Sequence, residues 1–231
     1  MIAMQPAPQA PDSAILERWS QPHPYFTSGT DMRSSDNALL VLLYGGLEKA
    51  SRYGWLNAGR TLIDKTYLRI LWITQQLEPP GISFDELASR LDGFIRAELQ
   101  PVWDTLAELE HEERHALAVT LVARVQAQVF QRDDQLASAS VLLFFLCPQL
   151  PVFVYRQGSE NADYASWHQA CRRRLANVLP LVGHAVPSPS YGTAQEQLLI
   201  SRLLNQGDWW VRRLLTQQSY PASAAPRRIA S

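Results

Sequence analysis

Five consecutive residues, His111-Glu112-Glu113-Arg114-His115, are the densest concentration of chemistry in the chain. Positions four apart on a helix share a face, so His111 and His115 would offer two imidazoles to one zinc ion. Glu112 would stand beside them as general base, the H-E-x-x-H arrangement of zinc hydrolases. The two intervening positions are the charged Glu113 and Arg114, where such enzymes usually carry uncharged residues on a buried helix. The same five residues also read as the acidic first turn of a helix, with Glu112 and Glu113 set against the positive end of its dipole. No clear third ligand follows, Asp133 and Asp134 being candidates only as acids downstream. A zinc-dependent hydrolase is therefore an alternative reading, with zinc as its cofactor.

A second chemistry belongs to arginine. Arg172-Arg173-Arg174 follows Tyr164, Trp167 and His168 by one to two helical turns, and Asp208-Trp209-Trp210-Val211-Arg212-Arg213 repeats the mixture. On a surface, the guanidinium groups of Arg172, Arg173, Arg174, Arg212 and Arg213 would grip phosphates while Trp209 or Trp210 stacked on bases. The competing reading makes the tryptophans core and the arginines solvated or paired with acids.

Two other motifs are fainter. Ser83-Phe84-Asp85-Glu86-Leu87-Ala88-Ser89-Arg90-Leu91 resembles the first helix of a helix-turn-helix, but Gly93 falls one place late and no second helix of standard spacing follows. Leu179-Pro180-Leu181-Val182-Gly183-His184-Ala185 echoes the hairpin of a helix-hairpin-helix, with leucine where its first glycine belongs. The chain shows no P-loop, dinucleotide fingerprint or serine nucleophile elbow.

The elements that must position these residues are helical. Asp12 can cap a short helix to Trp19, and Asp36 to Tyr53 is leucine-rich around Gly45-Gly46. Thr61 to Leu77 follows and Pro79-Pro80-Gly81 ends it. Ser83 with Glu86 forms a capping box that opens Phe84 to about Leu99, and Pro101 suits the first turn of another helix reaching towards Glu110. A further helix runs from His111 to about Gln131. Asp133 or Asp134 can cap the one holding Ala139 to Leu146, which Pro148 stops; the following Pro-Val-Phe-Val-Tyr is extended. Asp163 to Leu179 and Thr193 to Gln217 complete about nine helices, with no repeat and no βαβ rhythm. The fold class is all-α: a single helical domain over residues 12–218, between a disordered leader at 1–11 and a disordered tail at 219–231.

Composition narrows the function. The chain has 231 residues, 46% of them hydrophobic, and a net charge of −1, so no global basic field draws it to polyanions and a nucleic-acid site must be local. Only Lys49 and Lys65 are lysines, which leaves little choice for Schiff-base chemistry. Two cysteines, Cys147 and Cys171, make no disulfide framework and suit a reducing cytoplasm. Ser138 to Arg156 is apolar but too short and proline-broken to span a bilayer.

That apolar segment, Ala-Ser-Ala-Ser-Val-Leu-Leu-Phe-Phe-Leu-Cys-Pro-Gln-Leu-Pro-Val-Phe-Val-Tyr from Ala137, together with Asp163-Tyr-Ala-Ser-Trp-His-Gln-Ala-Cys-Arg-Arg-Arg-Leu175, resembles part of a bacterial family with an 8-oxoguanine DNA glycosylase-like fold. The resemblance covers about Gln135 to Leu175 and rests on hydrophobic pattern and prolines. It implies a helix-hairpin-helix glycosylase-like scaffold and DNA as partner. The family's lysine nucleophile falls on Val141 and its assisting aspartate on or next to Val154, and valine supplies neither a Schiff base nor charge stabilisation. What the resemblance implies is a degenerate, non-catalytic scaffold without cofactor that binds nucleic acid. A helical module for a protein partner is the other alternative.

Overall fold

The computed structural model describes residues 63–155, apart from 104 and 107, together with 163–182 and 208–217. Its regular elements are six α-helices, and no strand occurs among the described residues. The helices expected at Asp12 to Trp19 and Asp36 to Tyr53, and residues 193–207 of the last expected one, lie outside the described set.

Helix α1 (Lys65–Gln75) starts at Asp64, whose carboxylate accepts from the Tyr67 amide at 2.8 Å. It stops where Gln76 turns left-handed, ahead of Pro79 and Pro80. Tyr67, Leu68, Leu71, Trp72 and Gln75 form its buried stripe. Helix α2 (Phe84–Phe94) is capped by Ser83 Oγ, which accepts from the Glu86 amide at 3.1 Å. The return half of the expected box is replaced by a 2.5 Å bond from Arg90 to Glu86. A π-helical stretch, Ile95–Leu99, extends α2.

The helix expected to begin at Pro101 does not form. Gln100–Val102 makes one 3-10 turn, and the described residues from there to Leu109 are turns and a bend. Helix α3 (His111–Arg124) begins where its acidic turn places it, with the Glu110 amide donating back to Glu113 Oε2 at 3.0 Å. A π-helical stretch, Val125–Phe130, carries it to the left-handed Gln131.

Helix α4 (Leu136–Leu146) is preceded by Gln135 and not capped by Asp133 or Asp134; the carboxylate of Asp134 is engaged by Arg132 at 2.9 and 2.5 Å. Every residue from Ser138 to Leu146 is buried, so α4 has no solvent face and forms the axis of the core. Each large side chain along it contributes roughly 1.5–3 kcal/mol through burial. Pro148 to Leu150 turn the chain, the Leu150 amide donating to Cys147 O at 3.0 Å, and residues 151–154 then run buried without regular secondary structure, where the sequence predicted an extended segment.

Helix α5 (Tyr164–Val182) is capped by Asp163, which accepts from the Ser166 amide at 2.8 Å, and α6 (Asp208–Gln217) packs along it. α1 packs on α2, α2 on the π-helical end of α3, and α3 on both α4 and α5. Two apolar clusters result, a large one around α4 and a small one of Phe153, Cys171, Leu175, Val178, Val211 and Leu215, with Trp167 against both. No helix among the described residues is long and apolar enough to cross a membrane.

Candidate functional site

The start of α3, the first turns of α5 and the carbonyl of Pro151 bring three imidazoles into a row. His111 is 65% exposed at its side chain, whereas His115 and His168 are 6% and 3% exposed as residues. His111 Nε2 lies 3.3 Å from His115 Nε2, His115 Nδ1 lies 3.3 Å from His168 Nε2, and His168 Nε2 lies 3.0 Å from Pro151 O.

Their protons can be assigned from the inner end outward. A carbonyl only accepts, so His168 carries its proton on Nε2 and donates to Pro151. That N–H faces His115 Nδ1, which must be the unprotonated nitrogen. Neutral His115 then carries its proton on Nε2 and donates to His111 Nε2. Burial, with the neighbouring His168, Arg172 and His111 adding to it, pushes the pKa of His115 down to about 3, so the neutral form is the one present near pH 7. Burial and the nearby Arg172 and Arg212 likewise bring His168 down to about 4, against the opposing pull of its bond to Pro151.

Zinc fits this arrangement only in part. A 3.3 Å separation between two Nε2 atoms is the edge expected for two nitrogens about 2.0–2.1 Å from a tetrahedral metal. However, a metal-bound histidine normally donates its other ring nitrogen to an acceptor, and His115 Nδ1 faces a donor. Glu112, the expected base, is clamped by both guanidinium nitrogens of Arg172, one of them at 2.7 Å. That pairing, with a smaller contribution from His111, holds its carboxyl down at about 2 and makes it a poor proton acceptor. Asp133 and Asp134 lie past the far end of α3, roughly 25 Å away by the helical rise. Among the described residues, no three His, Cys, Asp or Glu side chains converge to hold a metal ion.

The arginine sites divide. Arg172 is the partner of Glu112, and its Nη2 also lies 3.5 Å from His111 Nδ1. Arg173 is exposed and Arg174 half-buried on the outward side of α5. Trp209, Arg212 and Arg213, in contrast, are 1%, 1% and 2% exposed, and this corrects their expected place on a nucleic-acid surface. Trp209 lies on Phe144 with ring centroids 4.6 Å apart and donates to Phe144 O at 3.3 Å. Arg212 donates to the carbonyls of Leu150 (2.9 Å), Val152 (2.8 Å) and Pro148 (3.0 Å) and to Asp208 Oδ1 (3.3 Å). Its Nε sits 3.2 Å from Asp208 Oδ2, an ion-pair contact outside hydrogen-bond geometry. Arg213 reaches Gln75 Oε1 at 2.5 Å. The side chain of Trp210 lies outside the described set.

Tyr164 is core as well, its hydroxyl donating to Phe153 O at 2.9 Å and accepting from Phe153 N at 3.1 Å. Val141 and Val154 are buried among apolar neighbours. His168, which the sequence offered only as an aromatic beside arginines, is the inner end of the imidazole row; its spacing of four from Arg172 was the available signal. No family model matches this chain, and neither a curated protein nor a solved structure shows significant similarity to it.

Proposed function

We propose that the protein is a non-catalytic, nucleic-acid-binding helical scaffold whose contact surface is the outward side of α5, centred on Arg173 with Arg172 and Arg174 beside it. The observation that carries this reading is the charge of that helix. From Tyr164 to Val182 it holds three arginines and no acid, and Arg173 stands on its exposed side with Ser166, Gln169 and Asn177. Arg172 is neutralised by Glu112, so Arg173 and Arg174 supply the charge that meets phosphates; such contacts carry no sequence preference, while Gln169 and Asn177 are of the types that read base edges. The buried valines at 141 and 154 support a binding role over lysine-based glycosylase or lyase chemistry, as the resemblance to glycosylase-like proteins implies.

Fluorescence anisotropy with labelled single-stranded, duplex and mismatched DNA at several salt concentrations tests the reading. The logarithm of the binding constant is expected to fall with the logarithm of salt. Arg173→Ala and Arg174→Ala should each lower the slope by about 0.7–0.9 for every phosphate that is no longer neutralised. Failure of the wild-type chain to bind any of the three at low salt overturns it.

A further inference from the structure

The arginine triplet of α5 is not equally open to a ligand. Arg173 faces solvent, whereas Arg172, one residue earlier, is half-buried and is reached by Glu112 from the first turn of α3. Both carboxylate oxygens are engaged, Oε2 accepting from Arg172 Nη1 at 2.7 Å and Oε1 accepting from Nη2. A guanidinium receives a phosphate through the same two parallel bonds. Glu112 therefore fills, on Arg172, the place of a backbone phosphate. Resting on the reading of α5 as a nucleic-acid surface, we propose that Glu112 is an autoinhibitory phosphate mimic: it withholds Arg172 from nucleic acid and closes a third phosphate position where α5 meets α3.

The two partners are unequal in a way that suits such a lock. The side chain of Glu112 is 73% exposed and that of Arg172 26%. A carboxylate so open to water stays solvated when it lets go, and exposed pairs of this kind hold weakly. Arg172 keeps much of its side chain covered beside α3, with His111 Nδ1 3.5 Å from its Nη2, so the fold holds the guanidinium near the same place when the acid turns away. The restraint comes from α3, because α5 has no acid of its own from Tyr164 to Val182. The adjacent Glu113, also exposed, is turned to its own helix and accepts from the Glu110 amide at 3.0 Å. Charge and position can thus be separated: loss of Glu112 frees Arg172, while loss of Glu113 removes the same charge and leaves the pair intact.

Full-length wild-type protein, Glu112→Gln, Glu113→Gln and the Glu112→Gln/Arg172→Ala pair are compared by fluorescence anisotropy with labelled duplex and single-stranded DNA over a range of salt. Glutamine at 113 can keep the bond from the Glu110 amide. Glu112→Gln is expected to bind more tightly, with a salt slope steeper by about 0.9 on duplex and about 0.7 on single strands, one more phosphate being neutralised. On duplex, its advantage over the wild-type chain should then grow about 3.5-fold as salt falls from about 200 to about 50 mM. Glu113→Gln should keep the wild-type slope, and the pair variant should return to it. A wild-type chain that binds, with Glu112→Gln unchanged in slope, overturns the lock and leaves the α5 surface standing. So does a gain that persists without Arg172 or appears equally in Glu113→Gln, either of which is an effect of overall charge. A wild-type chain that binds neither DNA at low salt overturns the surface and the lock together.

Discussion

Replacing Arg212 with methionine tests whether this guanidinium belongs to the core or to a binding surface. The thioether fills much of the same volume but leaves the carbonyls of Pro148, Leu150 and Val152 without their donor, and Asp208 without its cation. A buried polar group left unpaired costs about 1–3 kcal/mol, so three give roughly 3–9 kcal/mol. Local relaxation and water entry bring the expected loss to about 3–5 kcal/mol, the range seen when a buried charge pair is broken. Against a typical total of about 5–15 kcal/mol this is a large fraction. Arg212→Lys keeps the charge and part of the hydrogen bonding and should lose less; Asp208→Asn, at a partly exposed acid, should lose about 1 kcal/mol or less. Urea unfolding followed by circular dichroism gives all three from the shift in midpoint at constant slope. A loss below about 1 kcal/mol for Arg212→Met would refute the core assignment, because that is how a surface arginine behaves.

Two further outcomes follow from the site. By NMR titration the Glu112 carboxyl should titrate near pH 2 in the wild-type protein and return towards 4.5 in Arg172→Ala; because its pKa is depressed, the ion pair is intact above about pH 4.5 and lost as pH falls through 2. Val141→Lys, which restores a lysine where the resembling family carries its nucleophile, should unfold more readily by several kcal/mol and form no borohydride-trapped adduct with abasic DNA. Trapping of such an adduct would show that the position opens onto a substrate site.

Legibility in the sequence follows from how local each cause is. Ser83 and Asp163 cap helices because a short side chain reaches its own first turn, and α4 is buried because its residues are apolar on every side. Asp133 and Asp134 do not act as caps because Arg132, two residues before Asp134, captures that carboxylate. After Pro101 the described residues make one 3-10 turn and then turns, although Val102, Trp103 and Leu106 pack on the core, so the apolar residues of this stretch do not report a helix. Arg212 and Arg213 are hard to place because composition cannot distinguish an arginine under the core from one above it. Their spacing could: they lie three and four residues after Trp209, hence on the same helical face, and burial of the tryptophan takes both inside. The meeting of His115 with His168 spans 53 residues and depends on how α5 lies across α3, which no local pattern specifies.

The bonds from Arg212 to residues 148–152 also set an order on how the chain can be finished during synthesis. The three carbonyls it satisfies precede it by 60 to 64 residues, and the Gln75 oxygen held by Arg213 precedes it by 138. Helices α1 to α4 can form and collapse as they leave the ribosome, but the proline-bounded strip behind α4 keeps unsatisfied carbonyls until α6 arrives. Nascent chains stopped before Asp208 are thus expected to remain protease-sensitive and chaperone-bound, and the transition to a resistant fold comes late and all at once.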